Sequence, residues 1–87
     1  RMNYFIRYIG PLLEHFADAE NVEMGIHPDV MFFTVFRDGG LAIDTIRIRE
    51  GTGGADVFAV VDAAGGIVGE FDTLADLLDT FDPPEAA

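Results

Sequence analysis

Met2, Phe5, Ile6, Ile9, Leu12, Leu13 and Phe16 recur at intervals of three and four residues. They fill an arc about 120° wide on a helical wheel, the pattern of an amphipathic helix. Gly10-Pro11 interrupts the run. Proline has no N–H to donate and its ring crowds the carbonyl four residues back, here that of Arg7, so a kink or a break is expected. Residues 3–20 therefore read as one kinked helix or two short ones. The alternative is a strand over residues 3–9 with a helix starting at Pro11, since proline suits a first helical position.

From Val22 onward the period changes to two. Val22, Met24 and Ile26 alternate, His27-Pro28-Asp29 marks a turn, and residues 30–37 are a run of β-branched and aromatic side chains that predicts a strand. Asp38-Gly39-Gly40 is a hairpin signal, because glycine takes positive φ without a steric penalty. Residues 41–49 form the returning strand. Leu41 and Ile43 are out of phase with Ile46 and Ile48, and this slip around Asp44-Thr45 predicts a bulge or bend. Residues 56–62 and 67–71 read as two further strands. Asp72 or Thr73 then caps a last helix with an apolar stripe of Leu74, Leu77, Leu78 and Phe81, stopped by Pro83-Pro84. The expected fold class is α+β: an N-terminal helix, an antiparallel meander of four or five strands and a C-terminal helix. One domain spans residues 1–87, with 82–87 a frayed tail.

Composition changes this picture in one respect, charge. The chain of 87 residues carries 16 acids against 5 bases, a formal charge of −11, and every base is an arginine. The acids are unevenly spread. Residues 1–49 hold five Arg and seven acids, whereas residues 50–87 hold nine acids and no base. Lys, Ser, Gln, Cys and Trp are absent, which excludes serine and cysteine nucleophiles, disulfides, thiolate metal sites, P-loop lysines and Schiff bases. The apolar start has no basic leader followed by a small-residue cleavage site, and no run approaches the ~20 residues that cross a bilayer. The expectation is a cytoplasmic protein, in the host-cell cytoplasm if phage-encoded, with no membrane partner.

The remaining candidate chemistry is thin. Asp38-Gly39-Gly40 and residues 62–66 resemble calcium loops but lack the repeated Asp/Asn and the closing Glu. His15 and His27 have no ligand partner at metal-binding spacing. The Gly51-Thr52-Gly53-Gly54 loop lacks a lysine and leads into Asp56 rather than a helix, so a phosphate there meets repulsion. No cofactor, no metal and no enzymatic activity are expected.

Two apolar features stand out. Val30, Phe32, Thr34 and Phe36 line one face of the first long strand, and Met31, Phe33 and Val35 line the other. Such a strand is apolar on both sides, so either the helices divide between the faces or a second chain covers one. Met31, Phe33 and Val35 are the self-association candidates for a homodimer. Tyr4, Tyr8, Pro11 and His15 fall together opposite the apolar stripe of the first helix. That placement suits an interface or packing on the sheet edge.

The run from Gly66 to Phe81 (GIVGEFDTLADLLDTF) is a strand, a capped turn and an acidic helix. With the small size and the meander, it resembles the style of small phage-encoded anti-CRISPR inhibitors, several of which imitate DNA with an acidic surface. The resemblance implies an inhibitor that binds the basic DNA-recognition surface of a CRISPR effector. The charge pattern by itself points the same way, because carboxylates spaced like phosphates can occupy a cationic groove by complementarity. Asp72, Asp76, Asp79 and Asp82 on the last helix are the leading partner-binding candidates, with Glu70, Asp62 and Asp56 extending the patch. The expected partner is a basic nucleic-acid-binding protein, not nucleic acid itself. The alternative is a small structural or regulatory subunit acting through a hydrophobic sheet face, its acidity serving solubility or salt adaptation.

Overall fold

The N-terminal helix breaks where Pro11 requires it. The computed structural model describes residues 2–37, 39 and 41–81, and in it helix α1 runs Met2–Ile6 and helix α2 Ile9–His15. The break falls at Arg7 and Tyr8, one turn before the proline, because the carbonyl of residue 7 is the one that Pro11 can neither bond nor accommodate. Residues 3–9 do not form the alternative strand. Tyr8 remains tied to both halves: its N–H donates to the Phe5 carbonyl at 3.0 Å, and its carbonyl accepts from Leu12 N–H at 3.1 Å.

Five strands follow: β1 (Asn21–Ile26), β2 (Val30–Arg37), β3 (Leu41–Glu50), β4 (Asp56–Val61) and β5 (Ile67–Phe71). They form one antiparallel sheet in sequence order, and helix α3 (Leu74–Asp79) closes the fold. The slip in β3 is a real irregularity. Val35 pairs with Asp44 but Phe36 pairs with Ala42, so β3 carries one residue more than β2 at this point. The extra residue is the bulge that the phase slip predicts. Of the predicted β2–β3 turn, Gly39 takes φ +81°, while Asp38 and Gly40 lie outside the described residues, as do Asp82 and the rest of the expected tail.

All three helices pack on one face of the sheet. Phe5, Leu12 and Phe16 from α1 and α2, and Leu77 from α3, meet Met31, Phe33 and Val35 of β2, Ile46 and Ile48 of β3, and Phe58 and Val60 of β4. Rings stitch the two helical ends together, with Phe16 5.9 Å from Phe33 and 5.3 Å from Phe81.

This arrangement corrects the self-association expectation. Met31 and Phe33 are fully buried and Val35 is nearly so, beneath the chain's own helices, and they have no surface to offer a second copy. Among the described residues, no helix covers the other face. Its strand neighbours run in rows: Val30, Arg49 and Val57; Phe32, Arg47, Ala59 and Glu70; Thr34, Thr45 and Val61. Helices short enough to sit side by side share one face, which leaves Phe32 and Phe36 half-buried without a lid among the described helices.

Candidate functional site

The described acids among the candidate binding residues sit in four different settings. Asp56, at the start of β4, is enclosed by the first helical segments. Its Oδ2 accepts from the Tyr4 hydroxyl at 2.8 Å and also from the Tyr8 hydroxyl, while its Oδ1 is buried with no hydrogen-bond partner. Tyr8 packs edge-on to Phe58 at 5.4 Å. Burial, and then the hydrogen bond and negative charge of Asp56, hold its phenol well above the ordinary range. Asp56 therefore pins the helical face to the sheet and is not part of an outward patch. Tyr4 and Tyr8, which fell opposite the apolar stripe in sequence, are used for the same purpose. Arg7 lies 4.3 Å from the centroid of the Tyr4 ring.

Glu70 belongs to the uncovered sheet face. Its carboxylate lies 3.7 Å from the Arg47 guanidinium, across Ala59, which separates them in the row. Ala59, between them, is fully buried although no described helix covers it. Asp62 closes the β4–β5 turn. Its Oδ1 accepts from Ala64 N–H at 3.0 Å and from Gly66 N–H at 2.9 Å.

The last helix differs from these. Thr73 caps α3, its hydroxyl accepting from Asp76 N–H at 3.1 Å, while Leu77 anchors the inner side. The periodicity that turns Leu74, Leu77 and Leu78 inward places Asp76 and Asp79 together on the outer face, with Asp72 just before the cap. All three are exposed, and among the described residues no side chain bonds to their carboxylates. The described arginines are engaged elsewhere: Arg7 over Tyr4, Arg37 with Asp18 at 3.2 Å, Arg47 with Glu70, and Arg49 donating to the Glu50 carbonyl. The continuous anionic wall expected of Asp56, Asp62, Glu70 and the α3 acids is thus reduced to the α3 segment. Asp82, the last member of that set, lies outside the described residues.

One acid that the sequence pattern did not single out lies near this end of the molecule. Asp44, at the β3 bulge, borders a cavity of about 300 Å³ between the sheet and the end of α3, walled by Val60, Val68, Phe71, Thr80 and Phe81. Loss of hydration, and secondarily the charge of Asp62, push its carboxyl above the usual aspartate value. The signal was present in the sequence as an acid at the point where the strand alternation slips.

Among the described residues no three His, Asp or Glu side chains gather in an arrangement that could hold a metal ion, and no described helix is long and apolar enough to cross a membrane. His27 lies exposed beside Phe32, the ring centroids 6.2 Å apart, and His15 packs against Phe16. No protein-family model matches the chain, and neither the curated proteins nor the solved structures contain a significant match to it.

Proposed function

We propose that this protein is a non-enzymatic acidic binding protein that occupies the basic, nucleic-acid-binding surface of a partner protein, in the manner of the small phage-encoded anti-CRISPR inhibitors. The observation that carries the reading is the set of exposed acids on and just before α3, Asp76 and Asp79 on its outer face and Asp72 ahead of its cap, while the described arginines are engaged elsewhere. Asp76 and Asp79 are about 4.5 Å apart along the axis of α3, a few times the roughly 1.7 Å per charge of duplex DNA, and Asp72 precedes the extended cap Thr73. Asp79 also sits at the C-terminal end of α3, where the helix dipole disfavours an anion. Its place there is a cost to folding that a cationic partner offsets.

The test is displacement of labelled duplex DNA from a panel of CRISPR effectors, comparing the native chain with the triple variant Asp72→Asn, Asp76→Asn, Asp79→Asn. The native chain is expected to displace DNA from one effector, and to do so far less well as salt rises from about 50 to 200 mM. The triple variant should lose the effect. Equal displacement by both proteins, or none by the native chain, overturns the reading.

A second reading rests on the other sheet face, where Phe32, Phe36, Val30 and Val61 are half-buried with no described helix above them. There the protein pairs with a second copy of itself, and Phe32→Glu should lower the solution mass from dimer to monomer. A native chain that is already monomeric at high concentration removes this reading.

A further inference from the structure

The cavity beside Asp44 has a chemical bias that points to its occupant. Its walls are mainly apolar, from Val60, Val68, Phe71 and Phe81, and Val68 is 65% exposed at its rim on the edge strand β5. Gly69 also borders it; a Cβ there would stand 3.3 Å from the Phe71 ring, so the missing side chain is part of what keeps the space open.

Among the described residues that line the cavity, the polar side chains are those of Asp44 and Thr80. The Thr80 hydroxyl donates to the Leu77 carbonyl at 2.7 Å, so towards the cavity it can only accept. An ionised carboxylate also only accepts. Asp44 has, moreover, lost part of its hydration and stands within the field of Asp62, with no cation bonded to it among the described residues. Apolar walls, side-chain acceptors and, among the described residues, a carboxylate with no cation bonded to it together fit one class of ligand. At about 300 Å³ the volume is at the lower limit of small-molecule sites, the scale of a single long side chain.

We propose that this cavity receives the side chain of an arginine or lysine from a partner protein, its aliphatic stem against Val60, Val68 and Phe71 and its charged head on Asp44. Long basic side chains are suited to such a site because they bury their methylenes while keeping the head solvated or paired. The protein source of the cation rests on the function proposed above. The preference for a cation rests on the cavity alone.

The experiment separates the two. Amide chemical shifts of the native chain are followed during titration with n-butylguanidinium, with its neutral counterpart n-butylurea, and with the peptide acetyl-Gly-Arg-Gly-amide. Saturable shifts at residues 60, 68–71, 80 and 81 are expected with the guanidinium and the peptide but not with the urea. Asp44→Asn should weaken guanidinium binding about tenfold or more, and the triple α3 variant should bind it as the native chain does. Equal response to the urea, unchanged affinity in Asp44→Asn, or shifts centred on Asp72–Asp79 would overturn the cation site. Binding of butylguanidinium but not of the peptide would overturn the protein source. Neither result depends on whether the native chain displaces DNA from an effector, so the two proposals fail separately.

Discussion

Replacing Tyr8 by phenylalanine removes a single oxygen from the contact that holds the first helical segments to β4. The ring can keep its edge contact with Phe58, and Asp56 keeps the hydrogen bond from Tyr4 at 2.8 Å. What is lost is one hydrogen bond to a carboxylate whose other oxygen is already buried without a partner. Bonds to charged groups contribute about 1.5–3 kcal/mol, and the half-buried setting places this one towards the lower end, about 1.5–2 kcal/mol. A domain of 87 residues has roughly 4–13 kcal/mol of stability in total, so the loss is substantial. With a urea slope of about 1 kcal/mol/M for so small a chain, the midpoint should fall by about 1.5–2 M.

The alkaline limb provides an independent check. The folded protein raises the Tyr8 phenol above its unfolded value of 10.0, so folding favours the protonated form. That stabilisation is complete below the unfolded value and is lost as pH rises from there towards the folded one. Urea unfolding followed by far-UV circular dichroism at pH 7 and at steps above pH 10 should show a gap between native and Tyr8→Phe proteins that narrows with pH. The slope of that closure is at most about 1.4 kcal/mol per pH unit. A variant as stable as the native chain at pH 7, or a gap that stays constant above pH 10, would refute the assignment of Tyr8 and Asp56 as the clamp.

Two further substitutions test the packing. Leu77→Ala empties the fully buried anchor of the six-residue α3 and should cost about 2–5 kcal/mol, with loss of amide protection along α3 in hydrogen exchange. Gly51→Ala places a Cβ 2.5 Å from the Ala55 carbonyl oxygen and 3.0 Å from Val57. Because Gly51 N–H already bonds that carbonyl at 2.7 Å, the β3–β4 loop must open, at a cost of about 1–3 kcal/mol, read as a lower melting temperature.

Local periodicity and turn chemistry carried most of the secondary structure. The β-branched and aromatic run of Val30 to Arg37, the proline at position 11, the Thr73 cap and the phase slip at Asp44 each report on neighbours within a few residues, and each matches the element it predicts. The candidate surface was legible as a charge total and, on the last helix, as Asp72, Asp76 and Asp79. The sequence shows nine acids and no base after position 49, but not that Asp56 is enclosed by two tyrosines from the other end of the chain or that Glu70 meets Arg47 across a strand. Those pairings join residues more than twenty positions apart.

The sequence by itself determined an α+β meander with an acidic last helix, because helical and strand periods are written in adjacent side chains. Tertiary structure alone decided which face of β2 is buried. A strand apolar on both sides carries no mark of the side its helices will take, and Met31, Phe33 and Val35 became core only because α1, α2 and α3 all settled there. Packing likewise divided the acids into those held by the fold and those left to solvent, since a carboxylate's role depends on which distant donor reaches it.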